Sequence, residues 1–126
     1  MTDVLLRLEK IEKNYGKTAV LGPVDLAVKK AEVLGIKGKN GAGKSTLIKI
    51  MAGVLKESAG RVIKDQELAI GYVPQDIALY PELTGKQNLM FFADLEDIPK
   101  RAAKLRIDWI LERLMLSDAA NKKLGA

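Results

Sequence analysis

Nine residues constrain this chain more than any other stretch: Gly38–Thr46, read Gly-Lys-Asn-Gly-Ala-Gly-Lys-Ser-Thr. They fit the pattern G-x-x-x-x-G-K-[ST] of a phosphate-binding loop, with Gly38, Gly43, Lys44 and Ser45 at the fixed positions. Glycines let the backbone turn tightly and bring its N–H groups close to phosphate oxygens. Lys44 supplies a mobile point charge for the outer phosphates. Ser45 can place a hydroxyl on a magnesium ion carried by a nucleotide. A helix starting here points the positive end of its dipole at the anion. Such a loop needs a strand before it and a helix after it, so it dictates an α/β fold around itself.

The flanking sequence fits that demand. Val33–Lys37 reads as the strand that feeds the loop. Lys44 to about Val54 reads as the helix, because Leu47, Ile48, Ile50, Met51, Val54 and Leu55 cover a broad apolar sector. Gly53 is placed to end it. Upstream, Val4, Leu6 and Leu8 alternate on one face of a strand that Ile11 extends, and Tyr15-Gly16 marks a turn. A short strand is expected over Thr18–Leu21, a break at Gly22-Pro23, and a further strand over Val24–Val28. This opening is expected to form an antiparallel sheet.

Downstream, one short strand is expected around Arg61–Ile63 and another over Leu68–Val73, ending at Pro74-Gln75. Thr84-Gly85-Lys86-Gln87 reads as a capping box that opens a helix running to about Leu95. Pro99 starts a second helix, about Lys100–Leu116, with Ala103, Ile107, Ile110, Leu111 and Leu114 at helical spacing and Trp109 beside that stripe. Leu89–Ala93 followed by Asp94 mimics an apolar strand ending in a magnesium-organising aspartate. It lies just after the capping box, so a helix segment is expected there instead. The expected organisation is a single domain over 1–126, apparently incomplete. It has antiparallel strands over 1–32, a phosphate-loop core over 33–78 and a helical segment over 79–126.

Composition narrows the chemistry. The 126 residues contain no cysteine and no histidine, so catalysis must use carboxylates, lysine or a bound metal. No apolar run approaches the ~20 residues that span a bilayer, and no signal-peptide pattern opens the chain, so a cytoplasmic location is expected. The net charge is +5, but the lysines are scattered and have no interleaved aromatic platform, so no specific nucleic-acid partner is expected.

Several features now line up in order. The run Leu21–Thr46, ending GKNGAGKST, resembles the ATP-binding subunits of ABC transporters. Tyr15-Gly16 is similar to that family's aromatic loop. Ile70-Gly71-Tyr72-Val73-Pro74-Gln75 resembles the strand leading to its glutamine loop. Leu79-Tyr80-Pro81-Glu82-Leu83-Thr84, with Gln87-Asn88-Leu89, is similar to the family's stretch downstream of that glutamine, and Leu116–Ala120 to the stretch before the signature motif. The resemblance implies a partial P-loop NTPase of ABC type, and binding of ATP and Mg2+. It implies that Gly38, Asn40, Gly41, Gly43, Lys44, Ser45 and Thr46 hold the phosphates and that Ser45 also contacts magnesium. It implies that Gln75 reaches the metal and the attacking water and links the nucleotide to a membrane partner, and that Tyr15 stacks on adenine. Lys44 and Gln75 are thus the implied catalytic groups. The implied partners are a transmembrane subunit and a second ATP-binding subunit, at the inner face of the membrane.

The departures are as informative. The chain contains no Leu-Ser-Gly-Gly-Gln signature, no apolar strand ending in Asp-Glu and no switch histidine. It therefore resembles about the first half of such a domain. Nucleotide binding is expected, with hydrolysis weak or absent in these 126 residues. Two other readings are a non-catalytic nucleotide- or phosphate-binding module and a fragment that self-associates through open strand edges. Ala31 stands where the family usually has glycine, at about 1 kcal/mol if that position needs positive φ. Lys37 occupies a strand position that is usually apolar, so a buried stem and an escaping head are expected.

Overall fold

The structure, a computed structural model, describes residues 3–125. The chain divides between Val73 and Pro74 into two compact units.

The first unit is built on a sheet of order β2-β1-β3, with β1 (Val4–Tyr15) in the middle, β2 (Thr18–Lys29) on one side and β3 (Ala59–Lys64) on the other, both antiparallel to β1. Leu6 and Leu8 point into the core by strand alternation, and Ile11 points the same way although its position has the opposite parity. A bulge resolves the conflict. Leu8 and Ile11 of β1 stand opposite Leu26 and Val24 of β2, so β1 carries one extra residue there. Lys10, in this bulge, takes φ 47°, and its N–H donates to Asp25 Oδ1 at 3.0 Å. On the other side β3 accommodates the bulge with Gly60, φ 90°, where a Cβ would lie 2.3 Å from the Lys10 carbonyl oxygen.

Gly22-Pro23 does not break the chain into two strands. Between Leu21 and Val24 the register against β1 slips by one residue, so the dipeptide is a bulge within one continuous β2. A proline lacks only its donor, and a bulge leaves that donor unneeded. The short strand expected at Arg61–Ile63 is the middle of β3.

Helix α1 (Lys44–Met51) lays Leu47 and Ile50 against Leu8, Ile11 and Leu21 of the sheet. It stops three residues before Val54. Gly53 turns left-handed at φ 80°, the Val54 N–H returns to the Lys49 carbonyl at 2.9 Å and the Gly53 N–H to the Ile50 carbonyl at 3.1 Å. These bonds make the Schellman cap expected of a glycine at this place.

Two expected strands are absent. Val33–Lys37 and Leu68–Val73 carry no strand pairing among the described residues. Val33 is fully exposed and Val73 is 92% exposed. Apolar residues give a segment a face, but a strand exists only where a neighbour answers its N–H and C=O groups. Lys37 is exposed for the same reason, and its stem has no sheet to lie in. Ala31 does take positive φ, 60°, as its place in the turn after β2 requires.

In the second unit a loop runs to Thr84, followed by α2 (Gly85–Leu95) and α3 (Lys100–Arg113). Ala103, Ile107 and Leu111 of α3, with Ala120, form its core against Leu89, Met90 and Ala93 of α2. Leu89–Asp94 therefore lies inside a helix, as expected. Helix α3 ends at Arg113, short of Leu116, because Met115 turns left-handed at φ 59° and the Leu116 N–H returns to the Leu111 carbonyl at 2.7 Å. Trp109 lies half exposed beneath the guanidinium groups of Arg106 and Arg113, 4.6 and 5.8 Å from its ring centre. Among the described residues no helix is long and apolar enough to cross a membrane.

Candidate functional site

The loop Gly38–Gly43 enters α1 in a conformation that few residue types tolerate. Gly41 and Gly43 take φ 85° and 93°. At Gly43 there is also no room. A Cβ there would lie 3.0 Å from the Val20 carbonyl oxygen and 3.1 Å from Leu21 Cδ1, both on β2. Strand β2 thus forms the wall behind the loop, and Leu47 and Ile50 fix α1 to the same sheet. The Ala42 N–H closes a turn onto the Lys39 carbonyl at 3.1 Å, with Asn40 and Gly41 exposed at its tip.

Gly43 is also the N-cap of α1 and has no side chain to cap with. Its carbonyl accepts the first helical bond, from the Leu47 N–H at 2.9 Å. The N–H groups of Lys44, Ser45 and Thr46 therefore find no backbone acceptor among the described residues. No acidic residue occupies the first turn to answer them. From Val33 to Lys56 the chain has five lysines and no carboxylate. The Lys44 ammonium donates to the Gly38 carbonyl, so the side chain folds back across its own loop. Free N–H donors, the dipole's positive end and an ammonium are thus gathered at the start of α1. That donor set is complementary to a polyanion such as a chain of phosphates. The Ser45 hydroxyl is exposed on the first turn, in reach of solvent and of whatever the loop holds.

Gly38, Asn40, Gly41, Gly43, Lys44, Ser45 and Thr46 are thus brought together in one loop and one helical turn. Tyr15 belongs to the same unit, at the tip of the β1–β2 hairpin. It is 55% exposed, and the Lys13 ammonium lies 5.1 Å from its ring centre. Gln75 lies in the other unit, exposed on a bend just after the division at Val73. The sequence reading missed the Val20 carbonyl and the Leu21 side chain as the wall behind Gly43. Nothing in a motif could reveal them, because they reach the loop only through the β1–β2 hairpin.

A sequence profile described as "ABC transporter" matches residues 21–126. The chain belongs to the ABC transporter family. It is similar to the linearmycin resistance ATP-binding protein LnrL of Bacillus subtilis (strain 168), 37% identical over 130 residues that cover 95% of this chain and 42% of that protein. It is also similar to the zinc import ATP-binding protein ZnuC of Pseudomonas entomophila (strain L48), 43% identical over 105 residues covering 83% of this chain and 40% of that one. Among solved structures it resembles cbiO1 from Clostridium perfringens, described as part of the ABC transporter complex cbiONQ. The TM-score is 0.74 with 28% identity over 96% of this chain and 54% of that one. The chain spans about 42% of the length of the first of these curated relatives. Its fold is accordingly a partial P-loop NTPase of ABC type, and its likeness is to the N-terminal half of such an ATP-binding component.

Proposed function

We propose that this chain binds ATP with Mg2+ through Gly38–Thr46 and serves as part of the ATP-binding component of a transporter, working with a transmembrane subunit at the cytoplasmic face of a membrane. The observation that carries the reading is the open N-terminus of α1, where three consecutive N–H groups are left without a partner beside the Lys44 ammonium and no carboxylate stands in the first turn. In this reading Lys44 leaves the Gly38 carbonyl for the outer phosphates, and the N–H groups of Gly43, Lys44, Ser45 and Thr46 bind the inner ones. Bound magnesium neutralises charge on the outer phosphates. Ser45 offers it a hydroxyl, Gln75 offers a side-chain carbonyl that also orients water, and Tyr15 stacks on the base.

Phosphoryl transfer to water needs an in-line nucleophile held by a carboxylate or an equivalent group. The 126 residues have no histidine, and the apolar run that ends in a carboxylate at Leu89–Asp94 is helical. We therefore assign binding to this chain, with little turnover. Titration calorimetry with ATP and with a non-hydrolysable analogue tests the first claim. Similar affinities, both lost in Lys44→Ala, are expected, and no binding of either ligand refutes the site. A phosphate-release assay tests the second, and rapid turnover that disappears in Lys44→Ala contradicts it.

A specific observation also favours association with a second chain. The first unit presents Leu34, Ile48, Ile70 and Val73 beside an apolar groove of about 570 Å3. Unpaired extended segments next to exposed apolar surface promote pairing between chains. Light scattering should report a mass above that of the monomer, and a clean monomer at high concentration excludes this reading.

A further inference from the structure

Helix α3 carries apolar residues on two opposite faces. Ala103, Ile107 and Leu111 form the core of the second unit. At roughly 100° per residue, Ala102, Leu105 and Trp109 fall on the reverse face. All three are exposed, Leu105 at 68% and Trp109 at 51%. A helix that needs one face for its core gains nothing from an apolar ridge on the other, where a polar surface is the rule.

The charge beside this ridge is mostly of one sign. Arg101 flanks it on one side, and Arg106 and Arg113 flank it on the other. The guanidinium groups of Arg106 and Arg113 lie 4.6 and 5.8 Å from the Trp109 ring centre. A guanidinium placed against a ring keeps the N–H donors in its plane available to an anion. None of the three arginines has a salt-bridge partner among the described residues. Of the two carboxylates on α3, Asp108 is held by Lys86 at 2.9 Å, so Glu112 alone opposes the arginines on the outer face.

We propose that the outer face of α3 docks directly on the anionic phospholipid surface of a membrane. Such a surface answers both parts of the pattern. It offers apolar depth to Leu105 and to the ring of Trp109, and a layer of phosphates to Arg101, Arg106 and Arg113. A purely acidic peptide would satisfy the arginines and leave Leu105 in water. The contact lies wholly within the second unit and does not depend on the nucleotide site or on the transmembrane subunit proposed above.

Trp109 is the only tryptophan of the chain, so its emission reports on this face alone. The test mixes the 126-residue chain with vesicles of phosphatidylcholine, and with vesicles of equal parts phosphatidylcholine and phosphatidylglycerol. A blue shift of Trp109 emission and co-sedimentation are expected with the mixed vesicles only, and both should weaken as salt is raised. Replacing Arg106 and Arg113 together by glutamine should lower the vesicle affinity at least about tenfold. Leu105→Ser should lower it about fivefold. Glu112→Gln removes the opposing carboxylate and should raise it about threefold, a gain that no loss of folding can imitate. An unshifted Trp109 with the mixed vesicles overturns the proposal, as does an equal shift with phosphatidylcholine alone. Sedimentation that persists undiminished in the double variant places the membrane contact on another surface and also overturns it. A shift given by a polyglutamate peptide and not by vesicles assigns the face to an acidic protein partner and refutes the lipid.

Discussion

Helix α2 begins with the N–H groups of Thr84, Lys86 and Gln87 answered from within its own unit. Thr84 Oγ1 accepts the Gln87 N–H at 3.0 Å, Gln87 Oε1 accepts the Thr84 N–H at 2.9 Å, and the Lys86 N–H reaches the Ala120 carbonyl at 3.1 Å. Helix α1 begins with none of these. Its N-cap is a glycine in the left-handed region, its first turn has no acid, and its first three N–H groups have no partner among the described residues. Under the proposed function, the two starts are put to different uses. A helix that only supports a fold gains about 1 kcal/mol from a good cap. A helix that must receive an anion has to leave the same donors open, and it is held in place instead by Leu47 and Ile50 against the sheet.

Four substitutions probe that contrast. The largest expected effect is on binding at the open start. Lys44→Ala removes the ammonium that folds across the loop and should weaken ATP binding by about 2–3 kcal/mol, the range of a charge-assisted bond, with little change in melting temperature. Calorimetry beside a thermal melt separates the two quantities, and a lowered melting temperature at unchanged affinity would contradict this account.

Next comes Gly43→Ala. It combines a φ of 93° with a Cβ 3.0 Å from the Val20 carbonyl oxygen, so both stability and binding should suffer, stability by about 2 kcal/mol. Denaturant unfolding monitored in the first unit is the readout. A neutral result there means that β2 does not form the wall behind the loop.

Thr84→Ala tests the closed start. It should cost about 1 kcal/mol of stability and leave ATP affinity where it was. Loss of affinity equal to that of Lys44→Ala would erase the distinction between the two helices. The smallest expected effect is a gain. Ala31→Gly relieves a non-glycine residue at φ 60° and should stabilise the first unit by about 0.5–1 kcal/mol with binding unaltered. Chemical denaturation of the pair reads it, and a loss of stability means that the turn is unstrained.

Much of this was legible in the residues. The phosphate loop, the capping box, the glycine that ends α1 and the strain at Ala31 are local, because each depends on chemistry within a few residues of itself. Helix ends were less so. Helix α3 was expected to reach Leu116 and stops at Arg113, because Met115 takes a left-handed φ that methionine does not advertise. The bulges were hidden for a related reason. Ile11 could be read as core, but not that an extra residue at Lys10 was needed to turn it inward.

The proposed anion site can be read along the chain, since the spacing of three glycines, a lysine and a serine specifies the motif within nine residues, whereas the wall of Val20 and Leu21 behind Gly43 cannot. Which extended segments became strands was settled by pairing between distant parts of the chain. Val33–Lys37 and Leu68–Val73 have the residues of strands, as β1 and β2 do, yet only β1 and β2 have neighbours to bond. Backbone pairing is a property of two segments at once, and a pattern read along one chain specifies a face without specifying the partner that covers its edge.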